Sequence, residues 1–240
     1  MTSSIVLQPI VDLYELGGFV VLILTALSVI AVSVVLLKLW QFLSEGVGRR
    51  RGSERAIEAW VRGEADQALL LAEKAHGPVA IVIASAIRGS IARDLPRQTV
   101  EEDVQRVATQ RLHRLSRGLR LLEAIAQIAP LLGLFGTVLG MIEAFQAMQN
   151  AGADIDPSQL AGGIWVALLT TAVGLAVAMP AQLLTTWFDG RIDNERIAME
   201  TAIAAIFTRR VTDRASIART QATEPREAAG MTGARLAPGE

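Results

Sequence analysis

Cysteine is absent from the 240 residues, which excludes disulfides, thiol catalysis and cysteine-held metals. Histidine is scarce. His76 and His113 stand alone in charged, helical surroundings, with no second ligand at metal spacing, so neither a metal nor a cofactor is expected. No P-loop, dinucleotide-binding glycine pattern, H-E-x-x-H or nucleophile elbow occurs, and an enzyme is not expected. Charge is missing from three long runs: Leu16–Leu37, Ala124–Ile142 and Pro157–Phe188. Each is close to or above the roughly 20 apolar residues that carry a helix across a ~30 Å hydrocarbon core. Lys and Arg are missing before the first run, where only Asp12 and Glu15 are charged, and from Glu143–Asp156 between the second and third.

The basic residues lie elsewhere. Lys38–Arg120 carries fifteen of the 23, and the stretch after Phe188 carries eight. By the positive-inside rule both are cytoplasmic, so the N-terminus and the short second connection face outward. The expected class is an all-α integral membrane protein with three transmembrane helices, N-out and C-in, 51% hydrophobic overall. The first run has neither a positive lead nor a small-x-small cleavage site, and reads as an uncleaved anchor. Lys38–Arg120 holds ten acidic residues, a mild cationic excess that gives no argument for nucleic acid.

Along the chain, residues 1–15 form an outward segment in which Val6, Ile10, Val11 and Tyr14 share a helical face. Transmembrane helix 1 covers 16–43, with Lys38 snorkelling and Trp40 at headgroup depth. Residues 44–98 form a cytoplasmic loop of short helices. Its apolar stretch Val79–Ile87 is too short to span, and packs in a helical bundle or against the membrane. Asp94-Leu95-Pro96 is a turn. Residues 99–149 read as one unbroken helix of roughly 75 Å containing the second span. Residues 150–156 form a turn, with Asp156 and Pro157 as N-cap and first helical residue. Residues 157–214 form the third long helix, kinked at Pro180, and 215–240 a disordered tail.

In the second span, Gly133, Gly136 and Gly140 recur at three and four residues, beside Pro130 and Thr137. In the third, Ala167, Thr171, Gly174 and Ala178 form a second small stripe, with Thr170 adjacent. Two readings are open. Small stripes let helices approach closely in lipid. Alternatively, hydroxyls at mid-membrane line a narrow polar path. The second span and the third contain no Asp, Glu, Lys, Arg or His; Glu123 and Glu143 bracket the second. An ion carrier usually needs a titratable group in the membrane, so if this chain moves ions, either another chain supplies that group or the path uses hydroxyls and water. The series Arg106, Arg111, Arg114, Arg117, Arg120 is a solvated face that could also meet anionic membrane lipid.

Residues 129–145 and 163–181 resemble the two signature spans of the MotA/TolQ/ExbB proton-channel family, in order, spacing and topology. The resemblance covers roughly Arg117–Phe188, within a family domain expected over about 80–205. Three spans suit the ExbB/TolQ-like branch; MotA-type stators have four. The resemblance implies a homopentameric ring in the bacterial inner membrane, its second and third spans lining a pore. Within the pore lies an ExbD-like or TolR-like single-span partner carrying a membrane Asp. Work passes to a TonB-like or TolA-like protein, which energises outer-membrane transport or maintains the envelope. The family's pore threonines correspond to Thr137 and Thr171. Many relatives carry Glu in the third span where this chain has Val166. That Glu is then dispensable here, or Glu143 or the partner replaces it. A MotA-like stator and a structural scaffold without ion conduction are the alternatives.

Overall fold

The computed structural model describes residues 3–92, 95–151 and 157–230. The expected turn residue Asp94, residues 152–156 with the Asp156 cap, and the end of the expected tail lie outside them. So do the side chains of the amphipathic face before Gly18. Among the described residues all regular structure is α-helical. The helices are α1 (Ser3–Ser44), α2 (Arg51–Arg62), α3 (Ala65–Lys74), α4 (Pro78–Ile91), α5 (Arg97–Ser116), α6 (Leu119–Ala151) and α7 (Pro157–Gly230). Three helical stretches are long and apolar enough to cross a membrane: Gly18–Ser44, Arg97–Asn150 and Leu160–Thr208. The chain divides into two compact units, Met1–Ser44 with His113–Asp193, and Glu45–Leu112 with Asn194–Glu240.

The first unit is built from α1, α6 and the first half of α7. Gly18 interrupts α1 with φ 64° and ψ −163°, a conformation closed to other residues. The break separates the N-terminal turns from the span. Beyond it, Val20 and Leu24 pack with Ala129 and Ala178. Further along, Ala31 meets Leu122, Ile125, Ala126 and Ala181. Phe42 closes the stack edge-on against Phe188, with ring centroids 5.1 Å apart. Large apolar side chains also point outward, Leu183 (73% exposed) and Trp40 (71%) among them. A surface of that kind suits hydrocarbon rather than water.

Two expectations are corrected here. The helix expected to run unbroken over 99–149 is two helices, because Gly118 turns left-handed at φ 90°. The turn leaves the last carbonyls of α5 without intrahelical partners. Lys38 Nζ donates to Leu115 O at 2.8 Å, and Gln41 Nε2 to Arg114 O at 3.5 Å. Lys38 therefore does not snorkel. It is 5% exposed and caps the C-terminal end of α5, where a cation is favoured. Lys38→Met should orphan the Leu115 carbonyl and cost about 1–3 kcal/mol. A thermal melt of the purified protein checks it. A midpoint within about 1 °C of wild type would mean that solvent holds that carbonyl instead.

In the second unit, α2, α3 and α4 share one core with Val100, Val104, Met199, Ala202 and Ile206. The apolar stretch of α4 is the centre of that core: Val82, Ile83 and Ile87 are fully buried. Trp60 Nε1 donates to Ile206 O at 3.2 Å. The helix α7 continues to Gly230, past Arg214 where the sequence reading began a disordered tail, and it runs through Pro180 without a break. Ala is frequent there and Arg and Glu recur, and their helix propensity carries the backbone onward.

Candidate functional site

The two small stripes pack against each other within the chain. A Cβ added at Gly174 would lie 2.7 Å from Ala129 O and 3.1 Å from Gly133 Cα. One at Gly136 would lie 2.6 Å from Thr170 Oγ1, one at Gly140 3.1 Å from Ala167 Cβ, and one at Gly163 2.6 Å from Ala144 Cβ. Numbers rise along α6 as they fall along α7, so the helices are antiparallel. Their backbones approach as closely as small residues permit.

That register decides where the threonines lie. Thr170 is 2% exposed. Its hydroxyl is 2.7 Å from Ala167 O and 3.2 Å from Gly133 O, wedged between the helices. Grouped from the sequence with the pore candidates, it is buried in the α6/α7 contact of this chain. Thr171 is half-buried and donates to Gly133 O at 3.2 Å. Thr137, also half-buried, donates back to Leu134 O at 2.6 Å. At about 100° per residue, Thr137 lies ~40° to one side of Gly133, and Thr171 ~40° to the same sense from Ala167. On antiparallel neighbours the same sense means the same flank. The pairing of Gly136 with Thr170 puts the two threonines within about two residues of the same level, roughly 3 Å.

The helix α1 covers the opposite flank. Leu132, Leu139, Val173 and Val177, which pack on Val20 and Leu24, lie ~80–120° the other way round α6 and α7. The threonine flank has no partner within the described chain. On it, Leu134, Leu168 and Leu175 surround the two hydroxyls and are exposed. Toward the Glu123 end the flank becomes polar: Gln127, Gln182, Thr186, then Glu123 and Asp189. Gln127 Nε2 donates to Glu123 Oε1 at 3.3 Å, and Glu123 and Asp193 both repel the Asp189 carboxylate. Gln127, Gln182 and Thr186 escaped the sequence reading, which searched the spans for titratable groups. The spacing of Thr171, Gln182, Thr186 and Asp189 (eleven, four, three) was the available signal.

Each threonine hydroxyl spends its proton on a backbone carbonyl, Thr137 within its own helix and Thr171 across on α6, and keeps acceptor lone pairs. It can hold water or accept from a protonated acid, but it cannot carry charge. Of the other sequence-selected residues, Pro130 is half-buried inside α6, Ala178 is buried beside Leu24, and Pro180 is exposed. Glu143 is exposed near the end of α6. Val166 is half-buried and ~140° round α7 from Thr171, away from the threonine flank.

The sequence profile of the MotA/TolQ/ExbB proton channel family matches residues 74–201, more than half of the chain and all of this flank from Glu123 to Asp193. The chain belongs to that family. Its relatives place it in the ExbB/TolQ-like branch. It is 38% identical over 138 residues to a biopolymer transport ExbB homologue of Methanothermobacter thermautotrophicus, covering 58% of this chain and 47% of that one. It is 51% identical over 81 residues to the biopolymer transport protein exbB1 of Vibrio cholerae (32% and 36%). It is 43% identical over 60 residues to the Tol-Pal system protein TolQ of Haemophilus influenzae (25% and 26%). The matched stretches span half or less of these relatives' own lengths. Family membership and three apolar helices together make this a multi-pass membrane protein.

Proposed function

We propose that this chain is the ExbB/TolQ-like subunit of an inner-membrane proton channel, which turns proton flow into work for outer-membrane transport or envelope maintenance. The observation that carries the proposal is the threonine flank: α1 covers one side of the α6/α7 pair and leaves Thr137 and Thr171 on the other. Copies arranged in a ring, five by family resemblance, would turn these flanks inward and make a band of hydroxyls at one level. The exposed leucines beside them would face the helix of a single-span, ExbD-like or TolR-like partner. That partner must supply the titratable carboxyl, since the flank offers hydroxyls and amides at membrane depth and carboxylates only at its end. Glu123 and Asp189, facing the cytoplasm in the N-out arrangement, would collect protons at the mouth. A TonB-like or TolA-like protein would receive the work. The Glu of many relatives is replaced by Val166 without loss to the flank, because that position faces elsewhere.

The test is proton flux into proteoliposomes containing this chain and a single-span partner with a membrane Asp. Flux should need both chains and vanish when that Asp becomes Asn. Flux from this chain alone would refute the division of labour. No flux from an assembled pair, with or without the outer-membrane linkage protein, would favour a scaffold.

A further inference from the structure

The loop before α2 and the loop after α3 enclose a cavity of about 440 Å³. Its charged lining is Arg49, Arg50, Arg51 and Lys74, with His76 beside them. Arg50 is tethered, its Nη2 donating to Asn194 O at 2.9 Å. Among the described residues, no hydrogen bond or ion pair engages the side chains of Arg49, Arg51 or Lys74. Exposed cations elsewhere in the same unit do find carboxylates: Arg62 with Glu64, Arg88 with Glu73, Arg106 with Asp103. Glu54, in the first turn of α2, and Glu195 of α7, whose Oε1 accepts from Gly48 N–H at 3.0 Å, are nearby acids; neither lines the cavity.

The N-terminus of α2 reaches the same cavity through Arg51 and Gly52, and no side chain caps it. Its N–H groups and the dipole add to the positive potential. Close approaches hold the two loops together. A Cβ at Gly77 would come 3.1 Å from Gly46 O, and one at Gly52 2.7 Å from Ala75 Cβ. Cations held together in this way repel one another, and an anion relieves the repulsion. Arginine forks match phosphate oxygens in particular.

We infer that this basic cradle binds a phosphate-bearing anion. The volume exceeds that of bare phosphate and leaves room for a substituent. Arg49 lies five residues beyond Ser44, the end of α1, a reach of at most ~18 Å of chain. The phosphate could therefore belong to a phospholipid headgroup or to a soluble molecule.

The experiment uses the full chain in nanodiscs of phosphatidylcholine. In one arm inorganic phosphate, then pyrophosphate, is titrated against chloride at matched ionic strength. In the other, a quarter of the lipid is replaced by phosphatidylglycerol. The readout is the unfolding midpoint, which does not depend on proton flux or on the channel assignment. A rise of about 5 °C is expected at saturating ligand in one arm. Arg49→Gln/Arg51→Gln/Lys74→Gln should weaken the response at least tenfold. A response to soluble phosphate identifies a soluble ligand; a response only to phosphatidylglycerol identifies a headgroup. All three side chains are exposed, so the variant should fold; Lys74→Gln alone should give a partial loss should it not. No rise in either arm, or an equal rise in the variants, overturns the inference.

Discussion

Gly174→Ala is expected to destabilise the protein by about 3 kcal/mol, although the same exchange in an open helix is favourable by ~1 kcal/mol. The two effects oppose each other, and geometry decides between them. The new methyl would meet Ala129 O at 2.7 Å and the Gly133 backbone at 3.1 Å. Neither can move without displacing α6, so the α6/α7 pair must part. Parting the pair shifts Thr171 away from Gly133 O, so flux should fall together with stability. Gly162→Ala is the control, since nothing lies within 4 Å of its would-be Cβ. It should be neutral or slightly stabilising. Thermal melts and the fraction of monodisperse protein in detergent check both. Equal behaviour of the two variants would mean that the helices are not in the close contact described.

The same pair shows what the sequence could and could not disclose. Spacing alone put Gly133, Gly136 and Gly140 on one face, and Ala167, Thr171 and Gly174 on another. A face does not name its neighbour, so packing and pore stood as alternatives. The structure separates residues a short rotation apart: Thr170 packs between the helices, while Thr171 lies on the uncovered flank, where the pore is proposed. That difference of ~100° becomes visible only once the partner helix is fixed. The break at Gly118 was illegible for another reason. A lone glycine in a helical pattern is commonly tolerated, and what accompanies the turn here is Lys38, 77 residues from Leu115 in sequence. Long-range capping of this kind leaves no local signal. The burial of α4 was open from the sequence because an apolar stretch of its length suits a bundle core or a membrane surface equally. The three spans needed no tertiary information, since hydrocarbon thickness and the absence of charge act locally.

Thr171→Val should abolish coupled proton flux, a loss of at least about a hundredfold, with assembly intact. Valine matches threonine in shape, so the half-buried position should lose at most ~1 kcal/mol with its hydrogen bond to Gly133 O. What it loses is the lone pair that can hold water or a protonated acid on the flank. Thr137→Val, at the same level on the neighbouring helix, should behave likewise. Thr170→Val is the informative contrast. Its hydroxyl is enclosed and bonded to its own backbone, so it should affect stability more than flux per assembled complex. Thr171→Ser, which keeps the hydroxyl, should retain flux. The measurement is proton uptake by proteoliposomes holding the chain and its single-span partner, normalised to assembled complex. If Thr170→Val were the more damaging to normalised flux, the path would run between α6 and α7 rather than along the flank. If neither Thr171→Val nor Thr137→Val changed it, the hydroxyl band would have no part in conduction. A loss with Thr171→Val that Thr171→Ser reverses would assign the chemistry to the oxygen atom itself, because the two variants differ from threonine in opposite ways: one keeps the shape, the other keeps the polarity.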